Sequence, residues 1–276
     1  MGRADPYLFV GVRGVLEMAP WARAQWDRGE LDEDAFCLIV RRSEMLGLAE
    51  FSADRHAIEH WGHADAGGTW SPDGREELLA WLQMDVRTAA RHPELPACDQ
   101  TRLLPIQSSF AVVHEALGRI GSVELTEVDA IVPLEFMSDA ASRVAAGRDW
   151  LLVEASDATR DILVHVDVAA LRGDQPDGTR LVESMTAIGG EVLGPLDVRP
   201  RDPDASRAVA PAEPFLGRSF PARATRLAGQ TACWSVDFAA WTVELVAHSC
   251  RQLGSSGDLL IAVRAARDSA CGSAAR

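Results

Sequence analysis

The sequence predicts an α+β protein, built as an α/β sandwich in which helices cover a sheet. Short apolar runs rich in β-branched residues are typical of strands, and apolar residues spaced three or four apart are typical of helices. Glycines separate several of these helices from the strand that follows. With 276 residues, of which 47% are hydrophobic, the chain can bury a core without disulfides or metals.

The N-terminal part of the prediction covers residues 1–121, a strand followed by a helical region. The strand is the apolar run at 7–16, and Gly29 divides the helical pattern that follows it. Pro72 fits the first position of a further helix, since its missing N–H group is not needed there. The predicted helices of this part are 20–50 in two pieces, a short one from about Ser52 to Trp61, 72–91 and 107–120.

Residues 122–199 predict a ferredoxin-like segment. Strand patterns at 122–134, 150–154, 162–168 and 191–198 alternate with helical patterns at about 138–146 and 179–188. Glycines at the ends of the helical patterns are expected to close the helices. The resulting order is β-α-β-β-α-β, which is the ferredoxin-like arrangement.

The C-terminal part predicts an extension of the same sheet. Residues 200–214 are rich in Pro, Asp and Ala and read as a linker or long loop. Residues 215–267 then give a β-α-β piece that can join the sheet, with a strand at 218–227, a helix at about 237–253 and a strand at 258–263. Residues 268–276 are expected to form a flexible tail. Exposed sheet edges would allow oligomers to form.

Charge and composition exclude several classes of function. The net charge is −14 and the chain contains no lysine, because all 27 basic residues are arginine. A field of this sign disfavours nucleic acids and anionic membranes as partners. Walker-type nucleotide binding, pyridoxal-phosphate chemistry and protein-kinase chemistry each need a lysine. No nucleotide or pyridoxal-phosphate cofactor is therefore expected.

Cysteine usage and hydropathy predict a cytoplasmic location. The five cysteines are widely spaced and include no C-x-x-C pair, which disfavours a disulfide framework or a cysteine-rich zinc module. No stretch of 18 apolar residues occurs, so no membrane span is expected. The N-terminus is also a poor signal peptide.

Three histidines form the first candidate site. On a helix, His56, His60 and His63 fall at i, i+4 and i+7 and share one face. Imidazoles in this arrangement can bind a divalent metal such as zinc or iron. The alternative is a solvent-facing helix side without a metal, and Gly62 weakens the helix next to His63.

The first five residues of this stretch resemble the H-x-x-E-H pattern of the inverzincin metalloproteases. That resemblance implies zinc ligation by His56 and His60, with Glu59 as general base on a metal-bound water. The family also requires a distal acidic ligand on a helix. The nearest acid at that distance, Glu135, ends a predicted strand.

The second candidate is a pair on the strand at 162–168. Alternation places His165 and Asp167 on one face and a row of valines on the other, core-facing side. The pair could act as an acid/base dyad. With His248 it would match the ligand set of a non-haem iron site. An ordinary polar sheet face is the alternative.

The sequence thus predicts an enzyme or binder for a small molecule, using acid/base or metal-assisted chemistry. Trp61 and Trp70 lie near the histidines and are expected to line the pocket. The alternative is a non-catalytic, acidic interaction or assembly protein. Neither the substrate nor the reaction follows from the sequence.

Overall fold

A computed structural model describes residues 7–31, 34–50, 61–70, 75–86, 103–155, 162–171, 174–200 and 224–266. It contains six helices and nine strands in these ranges. The strands are β1 (Tyr7–Met18), β2 (Ala49–Glu50), β3 (Trp61–Gly67), β4 (Glu77–Asp85), β5 (Gly121–Pro133), β6 (Ile162–Ala170), β7 (Asp197–Arg199), β8 (Thr225–Thr231) and β9 (Asp258–Ala265). The helices are α1 (Pro20–Arg28), α2 (Ala35–Met45), α3 (Ile106–Gly118), α4 (Ala141–Ala155), α5 (Gly178–Leu193) and α6 (Val236–Gln252), with a 3-10 turn at Leu134–Phe136.

All nine strands join in one sheet, in the order β2-β3-β4-β1-β5-β9-β6-β8-β7. Only the short β2–β3 pairing is parallel among the described strands. The sheet includes β1 from the N-terminal part of the chain, β6 from the middle and β8 and β9 from the C-terminal part.

The sheet consists of two halves with related connectivity. Apart from α1 and the short edge strand β2, the first half runs β1-α2-β3-β4-α3-β5, and the second runs β6-α5-β7-β8-α6-β9. Within the sheet the first half reads β3-β4-β1-β5 and the second reads β7-β8-β6-β9. The halves meet where β5 pairs with β9, in a register that sets Val128 opposite Val263.

The described helices pack on one face of the sheet. Alternate strand residues such as Val10, Val128 and Val166 point into a core shared with these helices. Helix α6 lies at the centre of this layer and is buried continuously from Phe238 to Cys250. It contacts α3, α4, α5, β5 and β9, which explains why it is buried on nearly every side.

The predicted helix at 72–91 is wrong over its central part, because residues 77–85 form β4. Leu78, Leu82 and Val86 are spaced by four residues, which suits one side of a helix but also one face of a strand. The segment forms a strand because it pairs with the neighbouring strand β1, starting with Asp85 opposite Tyr7.

The β-α-β-β-α-β order predicted for 122–199 is also not formed there. The predicted strand 150–154 belongs to α4, and residues 191–193 belong to α5. The segment instead runs β5-α4-β6-α5-β7, and β9 separates β5 from β6. The predicted strands at 7–16, 162–168 and 258–263 and the helices at 107–120 and 237–253 are confirmed within a few residues. The mixed α+β class is likewise confirmed.

No helix in the described ranges combines the length and the apolar character needed to span a membrane.

Candidate functional site

Charged side chains cross the sheet face opposite the described helices. Arg13 on β1 pairs in register with Glu127 on β5, which pairs with Arg264 on β9, which pairs with His165 on β6. These four residues are called the charged row below. Neighbouring strands lie about 4.8 Å apart, so the row spans roughly 14 Å.

The adjacent row on the same face carries two aspartates. Asp129 on β5 and Asp167 on β6 both lie opposite Ala262 of β9. Arg226 on β8 is the next neighbour of Asp167. Both aspartates are buried, although isolated carboxylates are rarely found away from water. Each is held by an arginine, and the two arrangements differ.

The pair formed by Asp167 and Arg226 is closed. Arg226 donates from Nε to Oδ1 at 2.7 Å and from Nη2 to Oδ2 at 3.1 Å, so both carboxylate oxygens accept a hydrogen bond. Arg264 approaches Oδ2 from the other side at 3.5 Å. This bidentate geometry is the strongest form of the arginine–carboxylate contact. Because both oxygens are engaged, Asp167 holds two guanidinium groups beside His165.

The pair formed by Asp129 and Arg13 is open. Arg13 Nε donates to Asp129 Oδ2 at 2.5 Å, and Glu127 lies 3.9 Å from the same nitrogen. Arg13 Nη2 and Asp129 Oδ1 are buried and have no hydrogen-bond partner among the described residues. The side chains are 5% and 1% exposed. A buried polar group without a partner costs about 1–3 kcal/mol of stability. The open pair therefore satisfies fewer of its hydrogen-bonding groups than the closed pair does.

His165 lies at the end of the charged row with a free nitrogen. Its Nδ1 is buried without a partner in the described part of the chain. Burial lowers its pKa below the ordinary 6.5, and Arg264 and Arg226 lower it further, against the opposing effect of Asp167. The imidazole is therefore neutral at neutral pH, when one ring nitrogen can accept and the other can donate a hydrogen bond.

Apolar side chains border the two polar rows. Phe9 stacks on Trp81 with ring centroids 5.9 Å apart and contacts Ile131. Ile131 also contacts a second small cluster formed by Leu260 and Ala169. The charged groups thus lie beside a strip of apolar surface, a combination that is common in ligand sites.

The predicted histidine site falls mostly outside the described residues, since His56, Glu59 and His60 lie there. Trp61 and His63 belong to β3, where His63 pairs with Met84. The helical spacing that grouped the three histidines therefore does not extend to His63. Where side chains are described, no group of three or more His, Cys, Asp or Glu is arranged to hold a metal ion.

The predicted pocket residue Trp70 is part of the main hydrophobic core and is 7% exposed. Its indole nitrogen has no partner among the described residues. Trp61 is the first residue of β3. Trp70 therefore contributes to packing beneath the N-terminal half of the sheet.

The strand faces predicted for His165 and Asp167 are confirmed, because Val164, Val166 and Val168 point into the core. His248 does not join them. It lies on α6, in the helical layer on the other side of the sheet. The three residues consequently do not form the iron-binding arrangement considered from sequence.

A separate polar network surrounds α6. Glu244 is fully buried and accepts from Gln107 Nε2 at 2.6 Å and from Arg143, which also donates to the Leu104 carbonyl. Burial raises the pKa of Glu244, against the opposing effect of Arg143. Both carboxylate oxygens of Glu244 accept hydrogen bonds that join α3, α4 and α6, so this network is structural.

A cleft of about 380 Å³ opens at the start of α5, beside the turn after α6. Asp177, Arg180 and Ser255 are among its lining residues. The backbone N–H groups at the start of α5 are already capped by the Asp177 side chain. The cleft therefore offers fewer free donors than an uncapped helix end would.

Sequence reasoning missed Arg13, Glu127 and Asp129. The signals were present, since Arg13 interrupts an apolar strand and Glu127 and Asp129 alternate with valine and alanine in another. Alternation identifies a polar face within each strand. It does not reveal that β1 and β5 are neighbours, and that pairing brings the three residues together.

No family model matches the chain, and no significant similarity links it to a curated protein or a solved structure. The fold and the charged face define it as a two-half α+β protein with buried arginine–aspartate pairs on one sheet face.

Proposed function

We propose that the protein binds a small polar molecule on the sheet face that carries the charged row. The proposal rests on three buried polar atoms on this one face that have no partner among the described residues: Arg13 Nη2, Asp129 Oδ1 and His165 Nδ1. Folded proteins satisfy the great majority of such atoms, so each exception calls for a partner or a functional role. A bound molecule would supply the missing partners.

The connectivity of the two halves supports a second part of the proposal, that each half is a ferredoxin-like unit. Each runs β-α-β-β-α-β, and in each the first strand lies between the third and the fourth. The ligand would then bind across the joint between the units. Arg13 and Asp129 come from one half, and His165, Asp167 and Arg264 from the other.

Proton transfer is the chemistry that His165 could add. A neutral imidazole can accept a proton from a bound molecule, and Asp167 would stabilise the imidazolium that results. Burial opposes that charge, as do Arg264 and Arg226, so the pKa of His165 stays below its ordinary value. Binding and acid/base catalysis are both compatible with this arrangement. A metal bound by His56, His60 and His63 remains an expectation from sequence.

The proposal is tested by thermal unfolding of the full chain with the small-molecule fraction of a cell extract. The matched variants are R13M/D129L, which removes the open pair, and R143M/E244L, which removes the ion pair in the helical layer on the other side of the sheet. Each exchanges both members of a pair for apolar groups, so neither member is left as a buried, unpaired charge. We expect the extract to raise the Tm of the wild type and of R143M/E244L by about 2 °C or more. A shift that R13M/D129L shares, or no shift in any of the three proteins, would overturn the proposal.

A non-catalytic interaction protein is the second candidate. Trp21 and Trp150 are 52% and 64% exposed on α1 and α4, and large exposed aromatic residues often mark interfaces. The W150E variant distinguishes the two candidate functions. In an interaction protein it would abolish complex formation, whereas in a small-molecule binder the rise in Tm caused by the extract would be unchanged. The widely spaced cysteines favour the cytoplasm as the location of either.

A further inference from the structure

The comparison between the two arginine–aspartate pairs narrows the chemistry of the ligand. Both pairs lie on the same sheet face, and both are at least nine-tenths buried. In the closed pair two parallel N–H···O bonds use both oxygens of Asp167. In the open pair Nε of Arg13 donates to Oδ2 of Asp129. In the part of the chain that the structure describes, Nη2 of Arg13 and Oδ1 of Asp129 have no hydrogen-bond partner.

The unused donor and the unused acceptor belong to one ion pair, so a ligand that satisfies both must offer an acceptor and a donor together. Arg13 Nη2 needs an acceptor, and Asp129 Oδ1 needs a donor. A carboxylate would satisfy Arg13 but place its negative charge against Asp129 and Glu127. An ammonium group would satisfy Asp129 but meet the positive charge of Arg13. A neutral group with a carbonyl-type acceptor beside an N–H satisfies both.

We propose that the open pair recognises a planar amide-type edge, in which an acceptor and an N–H donor lie next to each other. Primary carboxamides and nucleobase edges have this chemistry. This inference rests on the proposed function, because it names the class of molecule that the same face binds. The Phe9–Trp81 stack and Ile131 border the open pair and provide apolar surface for a ring attached to the amide group.

Binding requires local opening of this face. Neither Arg13 Nη2 nor Asp129 Oδ1 is accessible to solvent in the described arrangement. A single buried water that bridges the two atoms would satisfy them equally well. The experiment must therefore separate an amide ligand from a structural water.

The test uses probes that share one ring and differ in the attached group: nicotinamide, nicotinate and 3-(aminomethyl)pyridine, with cytosine as a nucleobase edge. Each is added to the full chain, and binding is measured by calorimetry and by the shift in Tm. We expect nicotinamide or cytosine to bind at least about tenfold more tightly than nicotinate and the amine. That ratio corresponds to about 1.4 kcal/mol. Preference for nicotinamide over cytosine, or the reverse, distinguishes the two sources of the edge.

Two variants keep the test falsifiable if one of them folds poorly. Asp129→Asn turns the acceptor into a carboxamide whose NH₂ group can face the ligand, and R13M/D129L removes both groups. Circular dichroism checks that each is folded. Probe binding is expected to fall at least tenfold in both and to persist in R143M/E244L, which changes an ion pair in the helical layer instead. Equal binding of all probes, tighter binding of nicotinate, or no probe binding to the wild type overturns the amide inference. If the cell extract still raises the Tm of the wild type but not that of R13M/D129L, the proposed function stands and only the amide inference is wrong.

Discussion

At the scale of single residues, the charged face shows how the same two amino acids give different chemistry. Arg226 donates to both carboxylate oxygens of Asp167. Arg13 and Asp129 each retain a buried polar atom without a partner among the described residues. The sequence predicted which face of its strand Asp167 occupies, because alternation in a strand is regular. It could not predict which arginine each aspartate meets, since those partners come from strands 59 and 116 residues away in the chain.

The pKa of His165 is the first testable consequence. Burial and the guanidinium groups of Arg264 and Arg226 lower it below 6.5. Arg264→Met removes the larger of the two charge effects and should raise the pKa. Arg199→Met, which removes a weaker contributor, should raise it less. An NMR titration of the imidazole measures all three proteins. A pKa that does not rise in Arg264→Met would mean that this guanidinium does not act on the imidazole.

At the scale of elements, two glycines misled the sequence analysis for the same physical reason. Gly147 and Gly189 were expected to end helices, yet α4 and α5 continue past them. A Cβ atom at Gly147 would lie 2.5 Å from Trp241 Cδ1, and one at Gly189 would lie 2.7 Å from Trp241 Cη2. The glycines allow α4 and α5 to pack closely against α6. Trp241 also donates to the Val144 carbonyl at 2.8 Å.

Alanine substitutions at these glycines test the packing of the helical layer. Gly147→Ala and Gly189→Ala are each expected to lower the free energy of unfolding by about 1–3 kcal/mol, because Trp241 must shift. Gly118→Ala is the matched control, since nothing lies within 4 Å of its Cβ position at the end of α3. It should stabilise by about 0.5 kcal/mol through helix propensity. Urea unfolding measures all three, and a Gly147→Ala protein as stable as the wild type would contradict the close contact with Trp241.

At the scale of the whole molecule, the sheet joins two halves whose strand neighbours are far apart in the chain. The individual strands could be recognised from local patterns, because apolar alternation is a local property. The pairing of β5 with β9 could not, since no local signal sets Val128 opposite Val263. The joint places the charged residues of one half beside those of the other, and the extent of the charged face was therefore as unpredictable as the topology.

The pH dependence of stability is a property of the whole molecule. His114, His165 and His248 have pKa values lowered mainly by burial. Their neutral forms are favoured in the folded state, so they contribute stability above the unfolded pKa of 6.5. This stability is lost as the pH falls through 6.5 toward the lower folded values. The raised pKa of Glu244 makes its contribution to stability grow as the pH falls, opposite to that of the histidines. The histidine contribution is therefore isolated by comparing the wild type with a variant that changes histidines alone.

The triple variant H114Q/H165Q/H248Q tests this linkage. The urea midpoint of the wild type is expected to fall between about pH 7.5 and about pH 5.5, because the three imidazoles bind protons more readily in the unfolded chain. The midpoint of the triple variant should fall by less over the same interval. An identical pH dependence in the two proteins would show that these histidines are not responsible.

The most direct test is a crystal structure of the wild-type chain soaked with nicotinamide. We predict electron density for the carboxamide beside the open pair, with its oxygen accepting from Arg13 Nη2 and its N–H donating to Asp129 Oδ1. A single water molecule bridging those two atoms, with nicotinamide absent from this face of the sheet, would contradict the account.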